Sequence, residues 1–600
     1  MKKRGQKQSL KKMARFLLPY KRQLATVGIL MVFLACFDLS LPLFNAYAID
    51  HFIVPLQSGG LPVFALCYVG VVLLSAACTW IFVEQSTEIE MKVGRDLKRA
   101  CFVHLQRLGA DYYNKTSVGY ILSRVMSDTS QISAVIAWSA VDMLWAAAYS
   151  IGVLVSLFVL NATLGLFVLC ALPVLVAITV FFQKRIFRVG RDVRHQNALI
   201  SSGFSEGITG AVTAKTLVIE KENYQEFQTV TAAYKKKAVY SAMLSGIYTP
   251  LAVFITSITA ALILRQGGIY VEFMGMPLGT LSAGLAYASG LIDPVMNLAR
   301  IISEGASALV NVERVHTLLT EPELITDSEA VQAHYGTPLA PKEENYPPMR
   351  GEVEFRDVSF RYPDGDDYVL EHFNLKVPAG TTVAIVGETG AGKSTLVNLV
   401  CRFFEPTSGQ LLIDGEDYRA RGQNWLHHGI GYVLQTPHLL SGTILDNLRY
   451  AAEDLPDEEL KRRASLVYAD RVADSLPGGW NTQVGEGGEL LSSGQRQIIS
   501  FARAVVKNPS ILILDEATSS IDTQTEALIT TATREILKGR TSFVIAHRLS
   551  TIRLADLILV VQDGKIVERG THDQLMQSEG AYYQLYTLQF RSEKRSHHEE

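Results

Sequence analysis

Positive charge is missing from a long early stretch: between Gln23 and Met91 the chain has neither Lys nor Arg. Charge is scarce overall, at 19% over 600 residues, and the mean hydropathy is +0.17. A wholly water-soluble protein of this length carries more charge, so that class is excluded. Cysteine is also scarce. Cys36, Cys67, Cys78, Cys101, Cys170 and Cys401 have neither metal-ligand nor paired spacing and read as small apolar fillers. A net charge of −3 without a concentrated basic face argues against a nucleic-acid partner. No short apolar core with a small-residue cleavage site follows Lys2, Lys3 and Arg4, so no cleavable signal is read.

What is present divides into two unlike halves. A bilayer core takes about twenty mostly apolar residues per helix. Six such stretches fall near 23–48, 62–84, 134–159, 162–182, 241–264 and 278–299. The second and third are separated by a long polar, helix-like connection, as are the fourth and fifth. Lys92, Arg95, Lys98, Arg99 and Arg107 lie in the first connection, and Lys184, Arg185, Arg188, Arg191 and Arg194 in the second. Positive segments stay on the cytoplasmic side. Both connections, the N-terminus and the second half are therefore expected there, with the loop around 51–61 on the far side. Residues 11–20 alternate basic and apolar side chains and suit an interfacial helix.

The expected organisation is a helical transmembrane domain over 1–320 with long cytoplasmic extensions, a linker over 321–350 and an α/β nucleotide-binding domain over 351–590. A disordered polar tail over 591–600 completes it.

The chemistry concentrates in the second half. Gly387, Glu388, Thr389, Gly390, Ala391, Gly392, Lys393 and Ser394 follow an apolar strand at 383–386 and lead into a helical stretch opened by Thr395. Glycines in that setting turn backbone N–H groups onto polyphosphate oxygens. Lys393 reaches the outer phosphates and the Ser394 hydroxyl holds Mg²⁺, so a nucleoside triphosphate is expected. A second acidic strand is needed to steer metal and water. The run 510–516 supplies it, ending in Asp515 for the metal shell and Glu516 for the attacking water. Between these two, Ser492, Ser493, Gly494 and Gln495 open a helical stretch whose free N–H groups suit an anion.

In this order the set closely resembles the ATP-binding cassette family, and fused behind six spans it resembles an exporter half-transporter over essentially the whole chain. The resemblance implies roles for further residues. Tyr362 stands where the family stacks an aromatic ring on adenine. Gln435 matches the glutamine that contacts metal and water, His547 the switch histidine near the γ-phosphate, Asp522 the loop that speaks across the dimer, and 482–486 the segment before the signature. Asp111 to Asn114, and Glu206 with Lys215 and Glu220, match the coupling segments. The resemblance further implies ATP and Mg²⁺ as ligands, the lipid bilayer as surroundings, ATP hydrolysis coupled to transport, and a second half-transporter as partner.

One position departs from the family pattern. Ser493 replaces the first glycine of Leu-Ser-Gly-Gly-Gln, beside an intact Lys393, Asp515, Glu516, Gln435 and His547. That combination favours the catalytically complete member of a heterodimer over a homodimer. Ionisable groups inside spans are costly and mark pathways. Asp38 and Asp293, with Phe44, Tyr248, Phe254 and Tyr287, are the candidates to line an amphipathic cavity suited to lipophilic cations, the alternative being aromatics that pack or face lipid. The expected function is export of lipophilic or amphipathic small molecules, multidrug-type, across a bacterial inner membrane. A lipid or lipid-linked glycan flippase and a nucleotide-gated regulatory subunit are the alternatives.

Overall fold

The computed structural model describes residues 13–388, 390–515, 523–546 and 549–596. The chain separates into two units, one of Met1–Leu105 with Thr116–Glu321 and one of Gln106–Lys115 with Pro322–Glu600.

In chain order the helices of the first three hundred residues are α1 (Lys21–Ala48), α2 (Leu61–Leu105), α3 (Ala110–Lys115), α4 (Val118–Leu160), α5 (Ala162–Thr209), α6 (Ala211–Leu217), α7 (Glu220–Met274), α8 (Leu278–Gly290) and α9 (Ile292–Leu319). Of these only α3 belongs to the second unit. Among the described residues, five helical stretches are long and apolar enough to cross a membrane, those of α1, α2, α4, α5 and α7. The sixth expected span is broken at Leu291 into α8 and α9. Pro294 explains the break, because it has no N–H for the carbonyl of Gly290 and its ring crowds that turn. The described part of the expected interfacial helix forms two short 3₁₀ turns, Ala14–Phe16 and Leu18–Tyr20, the second with Pro19 inside it. Tyr20 then donates to Asp96 at 2.6 Å, tying the entry of α1 to α2.

The interior of the membrane unit is built from Val153, Leu157, Leu164, Val168, Ile263 and Tyr287. Asn161 turns the chain from α4 into α5, its side chain accepting from the N–H groups of Thr163 and Leu164 at 3.0 and 3.3 Å. A polar stripe on α4 crosses this apolar interior. Trp138 donates to Glu90 at 2.8 Å, Ser139 to Glu304 at 2.8 Å and Trp145 to Asp38 at 3.0 Å. Asp142 faces Arg300 at 3.3 Å. Four residues spaced along one helix face thus satisfy acids or a base on α1, α2 and α9, and each pairing offsets the cost of holding those groups away from water.

Two of the expected cavity-lining aromatics are instead packing residues. Tyr287 is fully buried and donates to the Leu39 carbonyl at 2.5 Å, while Tyr248 is buried and donates to Thr179 at 3.0 Å. Each phenol needs a partner once buried, and each finds one inside the bundle.

The α/β unit has a six-stranded sheet and a four-stranded one. After a short pair, β1 (Gly336–Thr337) and β2 (Ala340–Pro341), its strands are β3 (Val353–Phe360), β4 (Leu370–Val377), β5 (Thr382–Val386), β6 (Ser408–Ile413), β7 (Glu416–Asp417), β8 (Ile430–Val433), β9 (Ile511–Asp515), β10 (Thr541–Ile545), β11 (Leu557–Gln562) and β12 (Lys565–Gly570). The larger sheet runs β12-β11-β5-β10-β9-β8, parallel from β11 through β8, with β12 antiparallel on its edge. Its parallel strands β5 and β10 are buried at every position and β9 at all but Asp515, and most of their residues are apolar, as burial on both faces requires. The smaller sheet, β4-β3-β6-β7, is antiparallel.

The segment expected as a linker is fastened to this unit. Arg402, almost fully buried, pairs with Asp327 at 2.6 Å, and the second carboxylate oxygen of Asp327 accepts the Gln423 N–H at 2.9 Å. Trp425 donates to the Pro347 carbonyl and Ser510 to the Met349 carbonyl, both at 2.7 Å. Tyr335, Tyr346 and Met349 add apolar surface to the core. The last helix, Ala581–Ser596, continues into the expected disordered tail.

Candidate functional site: a phosphate-binding loop at the sheet edge

Parallel strands end on one side, and β5, β8, β9 and β10 bring the chain to that edge together. Ile545 of β10 lies in register with both Ile385 of β5 and Asp515 of β9, and Val433 of β8 with Leu514 of β9. Whatever follows these strands is therefore gathered at one crevice, the usual ligand position of an open α/β sheet. The loop from Gly387 follows β5, Gln435 lies two residues beyond β8, and Asp515 closes β9.

The loop's glycines answer to sterics. Gly387 has φ 155°, and a Cβ there would sit 2.2 Å from the Val561 carbonyl oxygen. Gly392 has φ 100° and immediately precedes α10 (Lys393–Val400). The turn thus delivers backbone N–H groups and the N-terminus of α10 to one concavity, which favours negative charge. Lys393 is 8% exposed, and its Nζ donates to the carbonyls of Gly387 and Glu388 at 2.8 and 2.7 Å. Burial lowers its pKa from the ordinary lysine value, while the charge of Asp515 opposes that shift. Ser394 is exposed and Thr395 buried. A magnesium-bound triphosphate fits this set: a tight turn whose Gly387 has no room for a side chain against β11, the Lys393 amine held against the turn's own carbonyls, and the exposed Ser394 hydroxyl.

Tyr362 sits beside the loop. Its hydroxyl hydrogen-bonds the Thr395 Oγ1 at 3.0 Å, and its ring packs edge-on against Phe360 and Phe404 at 5.0 and 5.1 Å. Gln435 is exposed. The Gly/Ser segment forms the N-terminus of α11 (Ser493–Lys507), where Ser492 and Gln495 cap each other: the Gln495 N–H donates to Ser492 Oγ at 3.2 Å and the Ser492 N–H to Gln495 Oε1 at 2.9 Å. Ser493 is exposed at the first helical position, where a serine side chain meets no packing, while Gly494 is buried. Thr389, Glu516, Asp522 and His547 lie outside the described residues.

One contact escaped sequence reasoning. Lys115, at the end of α3, pairs with Asp111 at 2.7 Å and also with Asp364, on the turn just after Tyr362. The only sequence signal was the acidic run Asp364, Asp366 and Asp367, which by itself reads as a solvated turn.

The family model described as the ABC transporter transmembrane region matches residues 24–295, and that described as ABC transporter matches 370–519. The probable multidrug resistance ABC transporter ATP-binding/permease protein YheH of Bacillus subtilis is 35% identical over 83% of this chain and 72% of its own length. An ATP-dependent lipid A-core flippase of Desulfotalea psychrophila is 36% identical over 82% of this chain and 84% of its own. Among solved structures, a bacterial Atm1-family ABC exporter with ATP bound superposes with a TM-score of 0.75 at 26% identity, covering 95% of this chain and 98% of that one. A membrane unit and an ATP-binding unit matched in sequence on one chain, and matched in fold along nearly its whole length, have one reading: the chain is a half-transporter of the ATP-binding cassette family, an integral membrane ATPase of exporter type that works as a dimer.

Proposed function

We propose that the chain exports lipophilic or amphipathic small molecules, with lipophilic cations the favoured class, across a bacterial inner membrane, its α/β unit and N-terminus cytoplasmic. The observation that carries the reading is the loop of Gly387 to Ser394 gathered with Asp515 at one sheet edge, in a chain whose other unit is a bundle of membrane-spanning helices. The name of the relative from B. subtilis supports the multidrug side. The flippase name of the D. psychrophila relative supports the second reading, lipid translocation by the same architecture.

In this proposal Tyr362 stacks on adenine, and the N–H groups of Gly387 to Thr395 hold the phosphates. Lys393 exchanges its two carbonyl partners for outer phosphate oxygens, trading neutral acceptors for anionic ones. Ser394, Gln435 and Asp515 hold Mg²⁺, which when bound offsets charge on the β- and γ-phosphate oxygens. Glu516 draws the proton from the attacking water and His547 orients the γ-phosphate. Ser492, Ser493, Gly494 and Gln495 of one chain, with Asp522, close over the ATP of the other. A heterodimer is favoured, this chain supplying intact acids and the partner a standard signature.

The test is ATP-driven uptake of a cationic dye into inside-out vesicles. Asp38→Asn and Asp293→Asn are each expected to slow uptake about tenfold, the worth of one charge contact of about 1.4 kcal/mol, with ATP turnover maintained. An Asn oxygen still accepts from Trp145, though less strongly than a carboxylate, so the Asp38 change keeps an acceptor for that indole N–H. Uptake at the parental rate in both variants would remove the cation reading.

A further inference from the structure

The turn between α1 and α2 gathers an unusual density of rings. Phe64 is the hub, with its centroid 5.9 Å from Phe44, 5.9 Å from Tyr47 and 5.4 Å from Phe52. Phe44 also meets Tyr68 edge-on at 6.0 Å. His51 stacks on Tyr47 at 4.0 Å, held there by its Nδ1–H donating to the Tyr47 carbonyl at 3.2 Å. These rings converge. Phe44, Tyr47, Phe52 and Phe64 all line one cavity of 770 Å³, a volume in the range of small-molecule sites.

Between Gln23 and Met91, a stretch that holds every residue lining this basket, there is neither Lys nor Arg. Asp50, beside His51 on the same turn, is held by the Gly279 N–H donating to its Oδ1 at 2.7 Å. Aromatic faces are electronegative and attract a cation most strongly where water is excluded, whereas an anion meets the same faces unfavourably. Of the four aromatics expected to line a cation cavity, Tyr248 and Tyr287 are spent on packing, and Phe44 lies here.

We propose that this basket is a binding site for bulky organic cations, quaternary ammonium or phosphonium in class, on the non-cytoplasmic side of the membrane. The side rests on the orientation and export reading given above; the binding chemistry does not. Under that reading a cation released from the transport path meets the basket as it leaves.

The experiment is calorimetric titration of the detergent-purified full chain with tetraphenylphosphonium and, separately, with tetraphenylborate, which has the same shape and opposite charge. The phosphonium is expected to bind at least about tenfold more tightly than the borate. Phe44→Leu with Phe64→Leu keeps the apolar volume and removes two faces, and is expected to cost a further tenfold or so for the phosphonium alone. Phe64→Tyr is expected to retain binding. Equal affinity for the two ions in the parent chain would overturn the site whatever the variants do, as would unchanged phosphonium binding in a double variant that melts at the parental temperature. Cationic dye export measured alongside separates the two readings. Export with a charge-blind basket sinks the site and spares the function, while selective phosphonium binding without dye export, in vesicles that also hold the co-expressed second half-transporter, sinks the function and spares the site.

Discussion

Glu516→Gln is expected to lower ATP turnover by about two to four orders of magnitude, the contribution of a positioned general base, while ATP still binds. Asp515, the residue before Glu516, ends β9 in register with Ile545 of β10, which is itself in register with Ile385 of β5, two residues before Gly387 begins the phosphate loop. Glutamine has nearly the same shape and hydrogen-bonds water, but it takes no proton from it. The measurement is Mg-ATP hydrolysis by this chain purified alone in lipid nanodiscs. Robust turnover lost in the variant establishes a working homodimer and makes Ser493 a tolerated replacement. Negligible turnover, restored by a co-expressed second half-transporter and lost again with Glu516→Gln, establishes the heterodimer and assigns the working site to these acids. Turnover that survives the change in either assembly would remove Glu516 from the mechanism.

Lys393→Met is expected to weaken ATP binding by about tenfold to a hundredfold, since a hydrogen bond to a charged group contributes about 1.5–3 kcal/mol. Turnover should fall with it. Methionine keeps the length and apolar character of the stem, which matters for a side chain only 8% exposed. Without nucleotide the amine satisfies the carbonyls of Gly387 and Glu388, so the variant also leaves these two acceptors without their cation. Titration with a fluorescent ATP analogue reads the affinity. A melting temperature taken in parallel separates loss of binding from loss of the loop. Parental affinity in a well-folded variant would mean that the N–H cradle alone holds the phosphates.

The phosphate loop was legible in the sequence because its chemistry dictates residue types: at Gly387 a side chain has no room, and only Lys393 puts a cation on the floor of the turn. The long membrane helices were legible for a similar reason, as bilayer thickness sets a length that composition must meet. Other features depend on partners far along the chain. Residues 321–350 lack periodicity and read as a free linker, yet Asp327 finds Arg402, and Pro347 and Met349 find Trp425 and Ser510. Tyr248 and Tyr287 read as cavity residues, but which way a ring points on a spanning helix is set by its neighbours, here Thr179 and the Leu39 carbonyl. The pairing of Lys115 with Asp364 joins segments that no local pattern connects.

The clasp between Asp327 and Arg402 has a kinematic consequence. Beyond the end of α9 at Leu319, His104 of α2 still donates to the Glu321 carbonyl at 3.1 Å, and the Gln423 side chain to the Ile325 carbonyl at 3.4 Å, so four residue steps separate the two ties. Fully extended, these reach about 14 Å. That is a short leash, and lengthening it means unwinding the end of α9, releasing one of these hydrogen bonds or pulling a buried ion pair apart. Breaking a buried pair costs about 3–5 kcal/mol, so a displacement at the end of α9 beyond that slack is passed on as tension rather than absorbed.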